Sequence, residues 1–375
     1  MAETTVRTFR RSFKCRLYPT KAQVVTIEHW LDLCRELHNA AIEERREAWA
    51  KGISVGFAVQ SQQLPAIKTG RPEFAEINAQ VLQQALRRVD LAFSAFFRRV
   101  KRGETPGYPR FKSRDRYNSL TWPQAIGFKV LGRSRIHLSK IGQIRAKIHR
   151  PLEGEPKTCA IKREAGRWYA IFSCDQVPAR SYPKATAEVG IDMGLTTFAA
   201  LSTGEMVTNP KWYRAIEGRL VVAQRKLSSK QKKSKRRKKA RERVARLHQK
   251  AANQRRDFQH KLARQIVSEN KFIAVENLAP KKMAEKSWPG MAKSILDASW
   301  GRFLSILSEK AEEAARTLVK VPPHGTSSTC FQCGAYRKKT LSERTHSCPC
   351  GLVLDRDFHA SLNILRLGRS LRTSA

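Results

Sequence analysis

Three acidic residues stand where apolar segments of the chain end. Asp192 closes the run in Val189-Gly-Ile-Asp-Met-Gly-Leu195. Glu276 lies in Phe272-Ile-Ala-Val-Glu-Asn-Leu278, and Asp357 in Leu354-Asp-Arg-Asp-Phe-His-Ala-Ser-Leu-Asn-Ile364. A carboxylate at the end of an apolar strand is costly without counter-charge. A shared pair of divalent cations supplies it, and two ions about 3.5–4 Å apart can activate a water and stabilise the leaving oxygen of a phosphodiester. Hard oxygen donors suit Mg²⁺ or Mn²⁺. Taken singly, such an Asp is more often a turn or cap residue. The order Asp, Glu, Asp around a basic helical insertion is the more specific signal. Asp355, beside Asp357, reads as a helix cap or outer supporting group, and Gly194 as room for a close approach of substrate backbone.

A second constellation is built from sulfur. Cys330, Cys333, Cys348 and Cys350 cluster as Cys-Phe-Gln-Cys and Cys-Pro-Cys-Gly. Four thiolates would hold Zn²⁺ tetrahedrally at about 2.3 Å, a closed structural site with no position for a catalytic water. The second pair is one residue shorter than the usual zinc knuckle. If Cys348 and Cys350 cannot both reach the ion, His346 is the nearest substitute. The other four cysteines, Cys15, Cys34, Cys159 and Cys174, stand singly among apolar residues and read as buried reduced thiols.

The elements that must carry these groups follow from periodicity. Phe13, Cys15 and Leu17 alternate with Lys14 and Arg16, a half-buried strand with a basic outer face. Val24, Ile27, Leu31, Cys34, Leu37 and Ala41 recur at helical spacing, as do Leu82, Leu86, Val89, Phe93, Phe97 and Val100. Residues 52–70 between them lack a period. Ile144, Ala146 and Ile148 alternate, and Cys159 and Ile161 lead through Glu164-Ala165-Gly166 into Trp168–Cys174, a hairpin. Further on, Glu188–Asp192 and Thr196–Leu201 read as paired strands. Leu220, Val221, Leu227, Val244, Leu247, Ala251, Phe258 and Leu262 then predict a helical hairpin with one face on the domain. Trp30, Trp122 and Trp168 could stack on bases, but their spacing assigns them to the core.

Charge narrows the partners. Among 375 residues, 73 Lys+Arg against 32 Asp+Glu leave a formal +41. Self-repulsion of that size opposes a compact state unless a polyanion neutralises it, and nucleic acid is the usual one. No apolar run is long enough to span a bilayer, and neither a signal peptide nor a lipidation signal is evident, so no membrane partner and a cytoplasmic, nucleoid-associated protein are expected. In Arg225–Lys250, 14 of the 26 residues are Lys or Arg. Within it Lys232, Lys233, Arg236 and Arg237 are candidate phosphate contacts.

Gly-Ile-Asp-Met-Gly-Leu, Val-Glu-Asn-Leu, the cysteine knuckle and Asp-Arg-Asp-Phe-His-Ala-Ser together resemble TnpB, a transposon-encoded nuclease family related to the type V CRISPR effectors. Arg16-Leu-Tyr-Pro-Thr20, Pro109-Arg-Phe-Lys-Ser113, Glu164-Ala-Gly-Arg-Trp-Tyr169 and Ala298-Ser-Trp-Gly301 extend the likeness through most of the chain. The resemblance implies an α/β multidomain protein: an RNase H-like (RuvC-like) nuclease domain with an inserted zinc finger, plus an N-terminal β-barrel-like wedge module with a helical insertion. Residues 1–20 and 102–180 would be the wedge, 21–101 the recognition helices, 186–321 and 352–375 the nuclease domain, and 322–351 the zinc finger. It further implies a guide RNA, double-stranded target DNA with a short flanking motif, and Asp192, Glu276 and Asp357 as the metal-binding catalytic triad. Two departures stand out: His359 where the family usually has Asn, and the short Cys348–Cys350 pair.

The expected activity is therefore RNA-guided DNA endonuclease chemistry by a two-metal mechanism, with the oligomeric state left open. A guided repressor that has lost cleavage is disfavoured by the presence of all three acids. A non-enzymatic zinc-containing RNA-binding protein explains charge and cysteines but not the acids. A DDE-type transposase, which also uses three carboxylates, would transfer strands without RNA.

Overall fold

The computed structural model describes residues 7–340 and 343–373. The chain forms two compact units, Met1–Pro178 and Ala179–Ala375.

In the first unit, strand β1 (Thr8–Tyr18) alternates as its sequence demands, burying Phe13, Cys15 and Leu17. Pro19 ends it, and Thr20 opens helix α1 (Lys21–Ala50) with a capping box. The Thr20 hydroxyl accepts from the Gln23 N–H (3.2 Å), while the Gln23 side chain accepts from the Thr20 N–H (3.0 Å). Two short helices follow, α2 (Phe57–Gln62) and α3 (Leu64–Gly70), each too short to show a period in the sequence. Helix α4 (Ala79–Lys101) buries Leu82, Leu86, Val89 and Phe93, but Phe97 and Val100 of the expected stripe are exposed. Strands β2 (Ser119–Trp122), β3 (Phe128–Leu131), β4 (Arg135–Leu138), β5 (Gly142–Lys147), β6 (Glu155–Glu164) and β7 (Arg167–Pro178) complete the unit. They join β1 in one seven-stranded sheet, order β2-β6-β7-β1-β5-β4-β3, in which every pair is antiparallel.

The second unit is built on β8 (Ala187–Asp192), β9 (Thr197–Leu201) and β10 (Met206–Thr208), an antiparallel meander. Helices α5 (Trp212–Ser228) and α6 (Lys235–Glu269) form the hairpin, and β11 (Asn270–Glu276) returns beside β8. Helices α7 (Pro280–Glu285), α8 (Pro289–Ala298) and α9 (Trp300–Glu313) lead to β12 (Thr317–Val321). The sheet order is β10-β9-β8-β11-β12, with β8, β11 and β12 parallel. Both faces of β8 and β11 are covered, which is why their sequences read as nearly continuous apolar runs. A small hairpin, β13 (Thr345–Ser347) and β14 (Val353–Asp355), precedes the last helix, α10 (Arg356–Thr373).

Helix α10 lies directly on the sheet because two glycines admit it. A Cβ on Gly190 would sit 2.1 Å from the Ser361 carbonyl oxygen, and one on Gly368 would sit 2.5 Å from the Ala274 Cβ. That close packing brings the first turn of α10 to the ends of β8 and β11. In the α5–α6 hairpin, Leu220, Ala251 and Leu262 are buried as expected; Val221 instead faces solvent. Among the described residues, no helix is long and apolar enough to cross a membrane.

Candidate active site and metal centre

Ile191 of β8 pairs with Val275 of β11 in parallel register. Asp192 and Glu276 each follow by one residue, so both leave the carboxyl ends of neighbouring parallel strands on the same face, the usual place for a ligand site in an open α/β sheet. Asp357 joins them from the first turn of α10, fixed by Asp355, whose carboxylate accepts from the Asp357 N–H (2.9 Å) and the Phe358 N–H (3.0 Å). Asp355 is thus the N-terminal cap of the helix. Gly194 is explained by its turn rather than by substrate: a Cβ there would meet the Thr197 carbonyl oxygen at 2.6 Å, with Asp357 Oδ2 beyond at 3.7 Å.

The acids repel one another. Asp192 keeps part of its surface open, yet its carboxyl is densely surrounded. Burial pushes it well above the usual carboxylate range, and Glu276 and Asp357 push it further; Arg356 and the Met193 amide oppose this. Burial also raises Glu276, which is 7% exposed, against the pull of a Thr326 hydrogen bond. Arg356 lies 3.6 Å from Asp357 and also opposes the rise of Asp192. Hard oxygen donors of this kind suit a divalent cation, although the three carboxylates, unlike the four cysteine sulfurs, do not all come within 4.8 Å of one another.

Of the residues that hold this arrangement, the sequence singled out only His359, as a departure from the family's usual Asn; Thr326 and Asn363 were missed. The Thr326 hydroxyl donates to Glu276 Oε1 at 2.6 Å. Asn363 of α10 donates in turn to the carbonyl oxygens of Thr326 (2.9 Å) and Thr329 (2.7 Å). His359 Nε2 accepts from the Phe331 N–H at 3.0 Å, so the neutral ring carries its proton on Nδ1. Burial, followed by the nearby His346, Lys339 and Arg366, lowers His359 to about 4 and keeps it neutral. His359 and Asn363 lie about half a turn and nearly two turns beyond Asp357 on the same helix, so α10 braces the root of the cysteine insertion. No motif marks this, since the partners are 28 to 37 residues apart.

The four candidate thiols converge. Cys330 and Cys350 sulfurs are 3.7 Å apart, Cys333 and Cys348 3.5 Å, and all four lie within 4.8 Å of one another. A tetrahedron with bonds of about 2.3 Å has sulfurs about 3.8 Å apart, so this set fits Zn²⁺ without His346. Gly334 (φ 77°) and Gly351 (φ 91°) turn the chain sharply after each pair. Burial alone would raise the Cys330 thiol, but hydrogen bonds from the Cys333 backbone, His346 and the Gln332 backbone bring it to about 5. Cys330, His346 and His359 also lie together, yet the two rings stack at 3.6 Å and 9°. An ion in the plane of one ring would be far outside the plane of the other, beyond a bond of about 2.0–2.1 Å. This trio therefore supports the knuckle rather than forming a second site.

Lys232, Lys233 and Arg236 are exposed at the tip of the α5–α6 hairpin. Arg237 is half-buried and donates to the carbonyl oxygens of Leu227 and Lys230, both at 2.9 Å, capping α5. Trp30, Trp122 and Trp168 are core residues; the exposed tryptophans are Trp49 and Trp288.

Comparison with known proteins gives three family matches. Residues 172–287 match a family described as a probable transposase (OrfB_IS605), and residues 300–364 match the Cas12f1-like TNB domain. Residues 9–54 match a family described as a helix-turn-helix domain, although here they form β1 and the single helix α1. A Streptomyces pristinaespiralis protein named as an RNA-guided DNA endonuclease is 37% identical over 96% of this chain and 89% of its own length. The Escherichia coli K12 protein InsQ, named likewise, is 28% identical over 96% and 93%. Among solved structures, a Cas12f1–sgRNA–target DNA complex aligns with TM-score 0.58 at 14% identity, covering 95% of this chain and 98% of that one. The mini RNA-guided endonuclease Cas_phi3 aligns with TM-score 0.54 at 9% identity, covering 96% and 92%.

Proposed function

The chain belongs to the TnpB family of transposon-encoded, RNA-guided DNA endonucleases, and on that premise we propose that Asp192, Glu276 and Asp357 are the catalytic centre of a Mg²⁺- or Mn²⁺-dependent DNA hydrolase. It is a nuclease with a RuvC-like α/β fold, whose partners are a guide RNA and double-stranded target DNA. The observation that carries the assignment of residues is that Glu276 at the end of β11 and Asp357 in the first turn of α10 both lie near enough to Asp192, at the end of β8, to push its carboxyl further up. Divalent cations bound there would supply an activated water and stabilise the leaving oxygen of the phosphodiester.

The protein's own groups set the geometry for that chemistry. Asp192 and Glu276 stand side by side because their strands are in parallel register. Thr326 orients the Glu276 carboxylate, and Asp355 holds the first turn of α10 that presents Asp357. Base pairing with the guide would supply most of the sequence specificity, the protein holding the heteroduplex by its backbone. In this reading residues 1–20 and 102–180 are the wedge, 21–101 the recognition helices, 186–321 and 352–375 the nuclease domain, and 322–351 a zinc finger held by Cys330, Cys333, Cys348 and Cys350. Lys232, Lys233 and Arg236 contact phosphates, and the protein works in the bacterial cytoplasm at the nucleoid.

The test is to purify the protein from cells carrying its native flanking DNA and to sequence the bound nucleic acid. A defined short RNA that directs cutting of matched DNA in Mg²⁺ is the expected result. Strand transfer without RNA would overturn the reading.

A further inference from the structure

We propose that Trp288 and the cleft beside it form a slot for one unpaired nucleotide of the DNA strand being cut. The proposal rests on the nuclease reading above and adds a substrate contact to it. The cleft, about 320 Å³, is lined by Leu195, Thr196, Asn209, Lys211, Arg214 and Trp288 among others. It begins where the catalytic strand ends, since Leu195 directly follows Gly194, whose side-chain position is 3.7 Å from Asp357 Oδ2.

The cleft is a built feature. Asn209 donates to the Leu195 carbonyl oxygen (2.9 Å) and accepts from the Lys211 N–H (3.2 Å), tying two walls together. Asp297, at the base, accepts from the Tyr213 N–H (2.9 Å) and pairs with Arg255, so its charge is already met. Lys211 and Arg214 line the cleft, Arg214 shared with Glu217 at 3.2 Å, and Arg344 reaches the lining residue Thr196 at 3.4 Å.

Trp288 is the unusual wall. It is 65% exposed, whereas the other tryptophans of this unit, Trp212 and Trp300, are 7% and 3% exposed. Its ring lies over Gly290, where a Cβ would come within 1.6 Å of Cζ3. An indole left open to solvent, beside cations and next to a phosphodiester-cutting centre, has the composition of a single-strand stacking platform. A paired base hides both faces in the duplex stack, so only an unpaired base can lie on the ring. The cations are then placed for the phosphates on either side of it.

The test uses the full guided complex. Trp288→Ala should slow target cleavage between about fivefold and a hundredfold, the range expected for one lost base stack. Guided DNA binding by gel shift should be unchanged, and Trp288→Phe should restore most of the rate. An abasic nucleotide scanned past the cut should slow the wild type at one position, with no added effect on Trp288→Ala. Wild-type cutting by Trp288→Ala, or equal abasic penalties in both proteins, would overturn the slot. A second readout does not depend on cutting: in the Asp192→Ala complex, 5-iododeoxyuridine placed at that position should crosslink to Trp288. Crosslinking only elsewhere would reject the slot, whereas failure of the wild type to cut DNA would reject the nuclease reading instead.

Discussion

Thr326 and Glu276 are joined by a 2.6 Å hydrogen bond, with the threonine hydroxyl donating to a carboxylate that is almost fully buried. Thr326 lies at the root of the cysteine insertion, five residues after β12, and its own carbonyl is held by Asn363 of α10. One residue therefore connects the insertion, the last helix and a proposed catalytic acid.

Thr326→Val keeps the shape and deletes the donor. A hydrogen bond to a charged group is worth about 1.5–3 kcal/mol, so cleavage should fall about tenfold or more with DNA binding unchanged. The donor favours ionised Glu276, so its loss should push the carboxyl further up and move the acid limb of the rate profile to higher pH. Thr326→Ser should restore both rate and profile. An unshifted profile in Thr326→Val would reduce the contact to packing.

The metal-free protein should bear the cost of its buried acids. Asp192 is raised above its unfolded value, so its contribution to stability is full below about pH 4 and is lost as pH rises through the folded value. Asp192→Asn removes that loss. Its melting temperature should exceed that of the wild type by a margin that grows from pH 4 to pH 7, a few degrees at about 2–4 °C per kcal/mol. Excess Mg²⁺ should cancel the margin by stabilising only the wild type. A margin independent of pH and Mg²⁺ would argue against a shared cation site.

For the sulfur site, metal analysis should find about one Zn²⁺ per chain, lost in Cys330→Ser. Because four thiols already meet the tetrahedral spacing, His346→Ala should keep its zinc. Chelation should loosen the loop that carries Thr326, seen as faster proteolysis at residues 322–340. Zinc lost in His346→Ala would mean that the Cys348–Cys350 pair does not supply two ligands.

At the hairpin tip, Lys232→Ala, Lys233→Asn and Arg236→Ala combined should weaken nucleic-acid binding and flatten its salt dependence, by up to about 0.9 in slope per lost duplex phosphate contact. Asn is chosen at position 233 because its φ is 68°. Arg237→Ala should instead lower thermal stability, since it caps α5. An unchanged salt slope in the triple variant would place the phosphate contacts elsewhere.

Much of this architecture was legible from periodicity alone. The alternation around Phe13, the helical spacing from Val24 and the apolar runs ending at Asp192 and Glu276 each specify an element whose burial is local in sequence. Asp355 was readable as a cap because the N–H donors it accepts from are two and three residues away. Thr326 and Asn363 were not readable as supports, and His359 stood out only as a departure from the family's usual Asn, since the partners of all three arrive through tertiary packing. Val221 was misplaced because one apolar residue at the edge of a basic helix carries no directional signal. Trp288 was overlooked because the sequence alone does not separate an exposed indole from the buried Trp300 twelve residues on.

The most direct test of the central claim is one gel shift and one cleavage assay on the same guided complex, with wild type and Asp192→Ala compared. Asp192 is assigned to the ions of the reaction, whereas guide pairing and basic residues hold the target. Asp192→Ala should therefore abolish Mg²⁺-dependent cutting while binding matched DNA within about threefold of wild type, under 1 kcal/mol. Undiminished cutting by a folded Asp192→Ala protein would remove this residue from the active site and contradict the mechanism.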